Sequence, residues 1–382
     1  MHNPQSTNVQ VVLAAAEGSS SERKTSVNMT TVTAHNLGMT RRRRSHALGP
    51  QWAVPRIIGT IGYEDRQPWA DRVQCIDRHG VSGPVFLRRV VSAARASDAV
   101  VVSGSVGLRA GYVDLLASAL IARRRPRPAV IVAECTWHPG RTRLERLTRK
   151  AAVRLLDMPN LTCCVLSRDE HAPFAQTWRL DTRRVEVTPY HFTMTRAELA
   201  LPTADDGLVF AGGDSMRDYQ PLVEAARLVP APVVIASRHR LRGPLPANVR
   251  AGPLPHARFM QMLHRASIVV VPFPNRLPRS AGQQTYLNAM ALGKLAIVTD
   301  GPGVTDYLED GRTALIVPPG DAAALADALR WALDPANGPA IARIREQGRA
   351  VAHARFTPEA YVTRLLGVVD RALARQPPKG CV

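Results

Sequence analysis

The stretch from Ser280 to Asn288, SAGQQTYLN, has the residue types to hold an anion. It follows an apolar run, SIVVVPF, and a loop, PNRLPRSAG, and it opens an otherwise apolar helix reaching Leu292. A helix N-terminus presents unpaired N–H groups and the positive end of the helix dipole. Ser280 is placed to cap the helix, while Ala281 and Gly282 leave room for a ligand close to the backbone. Gln283, Gln284 and Asn288 add neutral donors and acceptors on the first turns. Together these features fit a diphosphate. An ordinary capped helix packed on a sheet uses the same residues, so context must decide. Elsewhere, His138 in AECTWHPGR follows a buried strand, where a residue facing a second substrate would sit, and Glu134 is equally placed. A histidine satisfied within the fold is the alternative there. The sequence shows no Gly-x-Ser-x-Gly elbow, no P-loop and no Cys/His pair with metal spacing.

The elements that must carry these residues alternate. AVVVSG (99–104), AVIVAE (129–134), LTCCVLS (161–167) and RVEVTP (184–189) read as buried parallel strands. A helix through GYVDLLASALIARR follows the first, and a basic helix over 141–156 follows the second. PRIIGTIGY and DRVQCID are weaker strand candidates. After Pro189 and a polar link, a second block begins with the strands GLVFAGG (207–213), APVVIAS (231–237), SIVVVPF (267–273), LAIVTD and TALIVPPGD. Its helices are YQPLVEAARLV, ARFMQMLHRA, residues 281–292 and AAALADALRWAL. The expected fold is therefore α/β, with two doubly wound, Rossmann-like parallel sheets facing a cleft and ligands at the carboxyl ends of the strands. The expected division is a basic disordered segment over 1–50, a first domain over 51–195, a second over 196–372 and a tail over 373–382.

A chain of 382 residues is long enough for two cores, and 45% hydrophobic with 21% charged residues suits a globular protein. Thirty prolines and 5% aromatics point to many short loops around an aliphatic core. The five cysteines are odd in number, and Cys163 and Cys164 fall inside a strand, so they read as buried thiols of a reducing cytoplasm. No apolar run reaches the roughly 18 residues of a membrane span. The N-terminus shows no basic stretch before its brief apolar run, so no signal peptide is expected, and Met39 is an alternative start. The formal charge of +19 is largely arginine, including Arg41, Arg42, Arg43 and Arg44. Phosphorylated substrates, anionic membranes and nucleic acid all suit such a charge, as does a coding bias towards arginine. No nucleic-acid reader motif or aromatic platform accompanies it, so no nucleic-acid partner is expected.

AMALGKLAIVTDGPGVTDYLEDGRTALIVPPGDAAALADAL resembles the donor-binding half of retaining nucleotide-sugar glycosyltransferases of GT-B architecture, the group 1 type. VFAGGDSMRDYQPLVEAARL, NVRAGPLPHARFMQMLHRASIVVVPF and VLSRDEHAPF extend the likeness upstream, so that it covers roughly 161–333. It implies transfer of a sugar from a nucleoside-diphosphate sugar to an acceptor, with retention and no metal; the Asp-x-Asp motif of the metal-dependent fold is absent. The family carries two glutamates eight positions apart, for the donor sugar and the ribose, and Ser280 and Asn288 stand in their places. The resemblance assigns Arg217 the role of the lysine on the diphosphate, and puts Gly213 where the family has an arginine; Arg238 or Arg279 is the candidate replacement. GTIGYED (59–65) and SGSVG (103–107) compete as the glycine loop approaching the diphosphate from the acceptor side. Gly301 and Gly303 read as a structural turn at a strand end, with a hydrogen bond to the donor as a further role. Loss of both glutamates keeps a catalytically silent binding subunit open, and an epimerase or phosphorylase-like enzyme of the same fold is a further alternative.

The acceptor is open, with a lipid-linked one as candidate. GRTRLERLTRKAAVRLL (140–156) interleaves Arg141, Arg143, Arg146, Arg149, Lys150 and Arg154 with Leu144, Leu147, Val153 and Leu156. Such a helix can lie on an anionic membrane at the cytoplasmic face, with Arg41–Arg44 as a second anchor; otherwise its leucines face the core.

Overall fold

A computed structural model describes residues 54–104, 112–125, 127–140 and 142–376. The 1–50 segment with its arginine block, residues 105–107 of SGSVG, Arg141 and the tail beyond 376 lie outside the described residues.

Two six-stranded sheets form, every pairing parallel, as buried runs such as AVVVS and ASIVVV require. The first contains β1 Ile57–Gly59, β2 Val73–Cys75, β3 Ala99–Ser103, β4 Ala129–Ala133, β5 Leu161–Val165 and β6 Val185–Val187, in the order β2-β1-β3-β4-β5-β6. Both weak strand candidates are thus real strands. The second contains β7 Leu208–Gly212, β8 Val233–Ala236, β9 Val249–Gly252, β10 Ala266–Val271, β11 Leu295–Thr299 and β12 Leu315–Val317, in the order β12-β11-β10-β7-β8-β9. The strand β9 was not foreseen as one.

The order of the second sheet fixes where a ligand can sit. From β7 the chain winds outwards to β9, then returns beside β7 as β10 and winds the other way. The helices after β7 and β10 therefore depart to opposite faces and leave a crevice at the carboxyl ends of these two strands. The Gly213–Arg217 turn follows β7, and the loop leading to Gly282 follows β10.

Each sheet is packed on both faces. Val209, Val233 and Ile268 face Leu222, Leu325 and Leu329, while Phe210, Val269 and Val271 face Leu263, Tyr286 and Leu287. In the first sheet Val100, Val130 and Cys163 pack with Phe86, Val90 and Phe174. The other face is covered by the last helix, Pro358–Ala374, whose Tyr361, Leu365, Val368 and Val369 bury against Ile57, Val101 and Ile131. This helix lies largely in the segment assigned from sequence to the second domain, yet it packs on the first sheet. Contact along its apolar side, rather than chain order, sets where it lies.

Candidate anion site at the crevice of the second sheet

The turn after β7 presents Arg217. Gly213 is left-handed at φ 109°, and Met216 takes φ 53°, a region costly for a residue with a Cβ. Together they fold the chain back so that the Arg217 guanidinium lies 5.3 Å from the Phe273 ring centre. Its Nη1 donates to the Ser215 carbonyl (2.8 Å) and its Nη2 to Thr285 Oγ1 on the first turn of helix Gln283–Ala291 (3.2 Å). Arg217 is 8% exposed, and its Nε is buried without a partner among the described residues. Burial pushes its pKa down, and the neighbouring Arg279 pushes in the same direction. Arg279 donates from Nη1 to the Ser280 carbonyl (2.7 Å) and reaches Ser215 Oγ from Nη2 (3.4 Å). Its Nε is likewise buried and unpartnered, and burial lowers its pKa too. Two desolvated guanidiniums thus flank one helix N-terminus, and the arrangement favours a dianionic or polyanionic ligand.

Arg238 differs. Its Nε and backbone N–H bond Asp214 at 2.6 and 2.8 Å, and the side chain is exposed. The Arg238 backbone N–H, with the Ser237 hydroxyl and the Arg238 guanidinium, holds the Asp214 carboxyl at about 2. Its charge is already matched.

The helix start is built otherwise than the sequence suggests. Gly282, not Ser280, is the cap residue, left-handed at φ 80°. A Cβ on Gly282 would lie 2.6 Å from Phe273 and 2.9 Å from Val271, so this glycine is demanded by the protein's own packing. Ser280 is buried and directs both its N–H and its hydroxyl at Glu170 of the first block (3.1 and 2.7 Å). Gln283 Nε2 donates to Ser280 Oγ (2.6 Å). Gln284 Nε2 donates to Thr193 Oγ1 (2.9 Å), and Asn288 Oδ1 accepts the Thr193 N–H (2.8 Å). Gln284 and Asn288 therefore hold the link between the blocks.

On the first block, His138 is exposed, and Arg149 donates to its carbonyl (2.9 Å) and lies 3.0 Å from its ring Nδ1. Glu134 is buried at the carboxyl end of β4 in a left-handed conformation (φ 55°), and accepts the Tyr361 hydroxyl (3.2 Å). Of the candidate glycine loops, 59–65 contributes Tyr63, which packs against His191 and Tyr361. Gly303 donates its N–H to Asp169 Oδ2 (2.8 Å) across the seam between the blocks. Among the described residues no three His, Cys, Asp or Glu side chains gather as a metal site.

Arg217, Arg279, Ser280, Gly282 and Gln283 thus share one corner with Gly213, whose Cβ position is 3.4 Å from Arg217 Nη2. Glu170, Phe273 and Thr285 belong there as well, and sequence reasoning passed them over. Phe273 ends an apolar run and Thr285 follows two glutamines, so neither differs from core or surface positions by pattern. Glu170 is an acidic residue in a first helical turn, a position common enough to carry no message by itself.

Residues 208–335 match the family model for glycosyl transferases group 1. Comparison with curated protein sequences finds no match. Among solved structures the chain is similar to a glycosyltransferase from Rickettsia africae (13% identity, TM-score 0.55, covering 84% of this chain and 90% of that one). It is similar to Anabaena HepE in complex with UDP-glucose (16%, 0.56, 80% and 86%) and to sucrose-phosphate synthase from Thermosynechococcus elongatus (20%, 0.54, 79% and 81%). The protein has a GT-B fold, and the part of it that matches group 1 glycosyl transferases is the block built on its second sheet.

Proposed function

We propose that the crevice binds the diphosphate of a nucleotide sugar and that the protein transfers the sugar to an acceptor held by the first block, with retention. The observation that carries this is the pair of guanidiniums, buried Arg217 and half-buried Arg279, each with an Nε that has no partner among the described residues, beside the N-terminus of helix Gln283–Ala291. Breaking a sugar–phosphate bond leaves negative charge on the nucleoside diphosphate. Cations and helix N–H groups fixed in advance stabilise that charge without reorganising. Arg217 is the residue that faces the leaving group, and no metal is required for the step. The similar Anabaena protein is seen with UDP-glucose, which makes a UDP-hexose the first donor to test. His138 is the acceptor-side candidate, beside the basic helix rather than in the arginine corner.

The test is a thermal-shift screen against UDP, GDP, ADP and their sugars. A ligand at a hundred times its Kd adds about 2.7 kcal/mol of stability, a shift easily read. One nucleoside diphosphate and its sugar should stand out, and no shift with any of them would sink the reading. Binding without turnover would identify the silent subunit, and turnover of donor with no acceptor the epimerase-like alternative.

We also infer that the first block works against an anionic membrane at the cytoplasmic face, on a lipid-linked acceptor. Helix Arg143–Arg154, capped by a Thr142/Glu145 capping box, buries Val153 against the first sheet, with Leu156 buried just beyond its end. Leu144 and Leu147 are 71% and 68% exposed, and Ala151 and Leu155 continue the same exposed stripe. Arg143, Arg146, Lys150 and Arg154 repeat at the same spacing, one residue earlier. An apolar stripe beside a basic one is the form of a helix lying in a lipid interface. Among the described residues no helix is long and apolar enough to cross a membrane.

A further inference from the structure

Helix Arg168–Trp178 begins directly after β5, and its first turn meets the second block. Glu170 is 7% exposed there, and its carboxylate accepts four hydrogen bonds. Two come from its own block, the Leu166 N–H (3.2 Å) and the Ser167 hydroxyl (3.1 Å). Two come across the seam, the Ser280 N–H (3.1 Å) and hydroxyl (2.7 Å). Burial pushes this carboxyl's pKa up, while the Ser280 and Ser167 donors pull it back. The surrounding seam is closed. Asp169 accepts the Gly303 N–H, and Arg168 donates to Asp306 from both backbone and Nε. A Cβ on Gly303 would lie 2.4 Å from Ser167 Cβ and 3.1 Å from Ser280 Cβ.

Ser280 passes this restraint on. With its N–H and hydroxyl hydrogen both given to Glu170, its carbonyl accepts Arg279 Nη1 and its Oγ accepts Gln283 Nε2. We propose that Glu170 is a positioning residue for the anion site, reaching from the first block to fix Ser280 and, through it, the Arg279 guanidinium and the first residue of the helix. The proposal rests on the crevice being a nucleoside-diphosphate site. It makes the competence of that site depend on the seam between the blocks. It also fixes the sign of the effect of a substitution. A carboxylate near a phosphate site repels the ligand by itself, so neutralising it would tighten binding if charge were its only contribution.

UDP and UMP are titrated calorimetrically against the wild type, Glu170→Gln, Ser280→Ala and the double variant, with each melting temperature recorded. The amide of Glu170→Gln turns a donor towards one of the groups that now donate to the carboxylate, so the restraint on Ser280 breaks. We expect UDP to weaken about tenfold in Glu170→Gln and UMP less than threefold, because a misplaced Arg279 is felt through the diphosphate. Ser280→Ala should weaken UDP in the same selective way. The double variant should be no worse than Glu170→Gln, as for two residues acting as one unit. Equal losses for UDP and UMP would mark a merely structural role and overturn the proposal, as would unchanged or tighter UDP binding or additive losses in the double variant. Should Glu170→Gln fail to fold, Ser280→Ala alone decides by its ratio of UDP to UMP affinity. Wild-type protein that binds none of UDP, GDP and ADP would overturn the diphosphate reading, and this proposal with it.

Discussion

Arg217 sits where a positive charge is hardest to keep. Its guanidinium is buried against Phe273, one nitrogen has no partner among the described residues, and burial lowers its pKa. A side chain with no task there is more stable as a hydrophobe of similar volume. Arg217→Ala should therefore lower kcat/KM with nucleotide sugar by about 100-fold, on the order of 3 kcal/mol, as for loss of one oxyanion donor. Arg238→Ala should stay within threefold, because Asp214 already neutralises that charge. Steady-state kinetics on both variants check the pair, and similar losses in the two would remove the distinction. At this scale the sequence supplied Arg217, Arg279 and Ser280 as candidates. It could not say which arginine finds a carboxylate, because Asp214 and Arg238 meet only when β7 and β8 pair.

At the scale of elements, the link between the blocks carries a titratable lock. His191 is buried, with the Tyr63 hydroxyl 2.7 Å from Nε2 and the Phe192 carbonyl 2.6 Å from Nδ1. A neutral ring satisfies both contacts, with Nδ1–H donating to the carbonyl and Nε2 accepting from the hydroxyl. Burial lowers its pKa to about 4 against the Phe192 carbonyl bond, which raises it; Arg364 and Arg66 add to the lowering, and Glu359 opposes it. The folded value lies below the unfolded value of about 6.5, so the unfolded chain takes up the proton first as pH falls. The contribution is full above about pH 6.5 and is lost towards pH 4, at up to about 1.4 kcal/mol per pH unit. Urea unfolding at pH 7 and pH 4.5 should show His191→Gln losing about 2 kcal/mol less than the wild type over that interval. An equal loss in both proteins would mean that the ring is not held neutral. The strong β-branched runs among these elements were legible as strands. VRAG was not, because a short edge strand with one buried residue has little apolar pattern to show.

At the scale of the whole molecule, the exposed leucines and the net charge of +19 point the same way. Each cation near an anionic leaflet contributes about 1 kcal/mol, screened by salt. Sedimentation with vesicles of phosphatidylcholine alone, or with about a third phosphatidylglycerol, should show binding only to the anionic ones at low salt. Leu144→Ser with Leu147→Ser should weaken it several-fold, and charge reversal of Arg143, Arg146 and Lys150 should abolish it. Equal binding to both vesicle types, or binding that survives charge reversal, would make the surface one for a protein partner or none.

The sequence alone determined the alternation of strand and helix, and with it two doubly wound parallel sheets, because hydrophobic periodicity and β-branching act over a few residues. It marked the start of helix Gln283–Ala291 as the candidate anion corner, since a helix N-terminus after an apolar strand is also a local feature. Tertiary structure decided what local pattern cannot. It gave Gly282 to Phe273, Asn288 to Thr193 and Ser280 to Glu170, and it turned Leu144 and Leu147 to solvent while Val153 faced the core. The partners in those contacts are mostly tens of residues apart or more, and nothing in a residue's own neighbourhood encodes which distant group will stand opposite it.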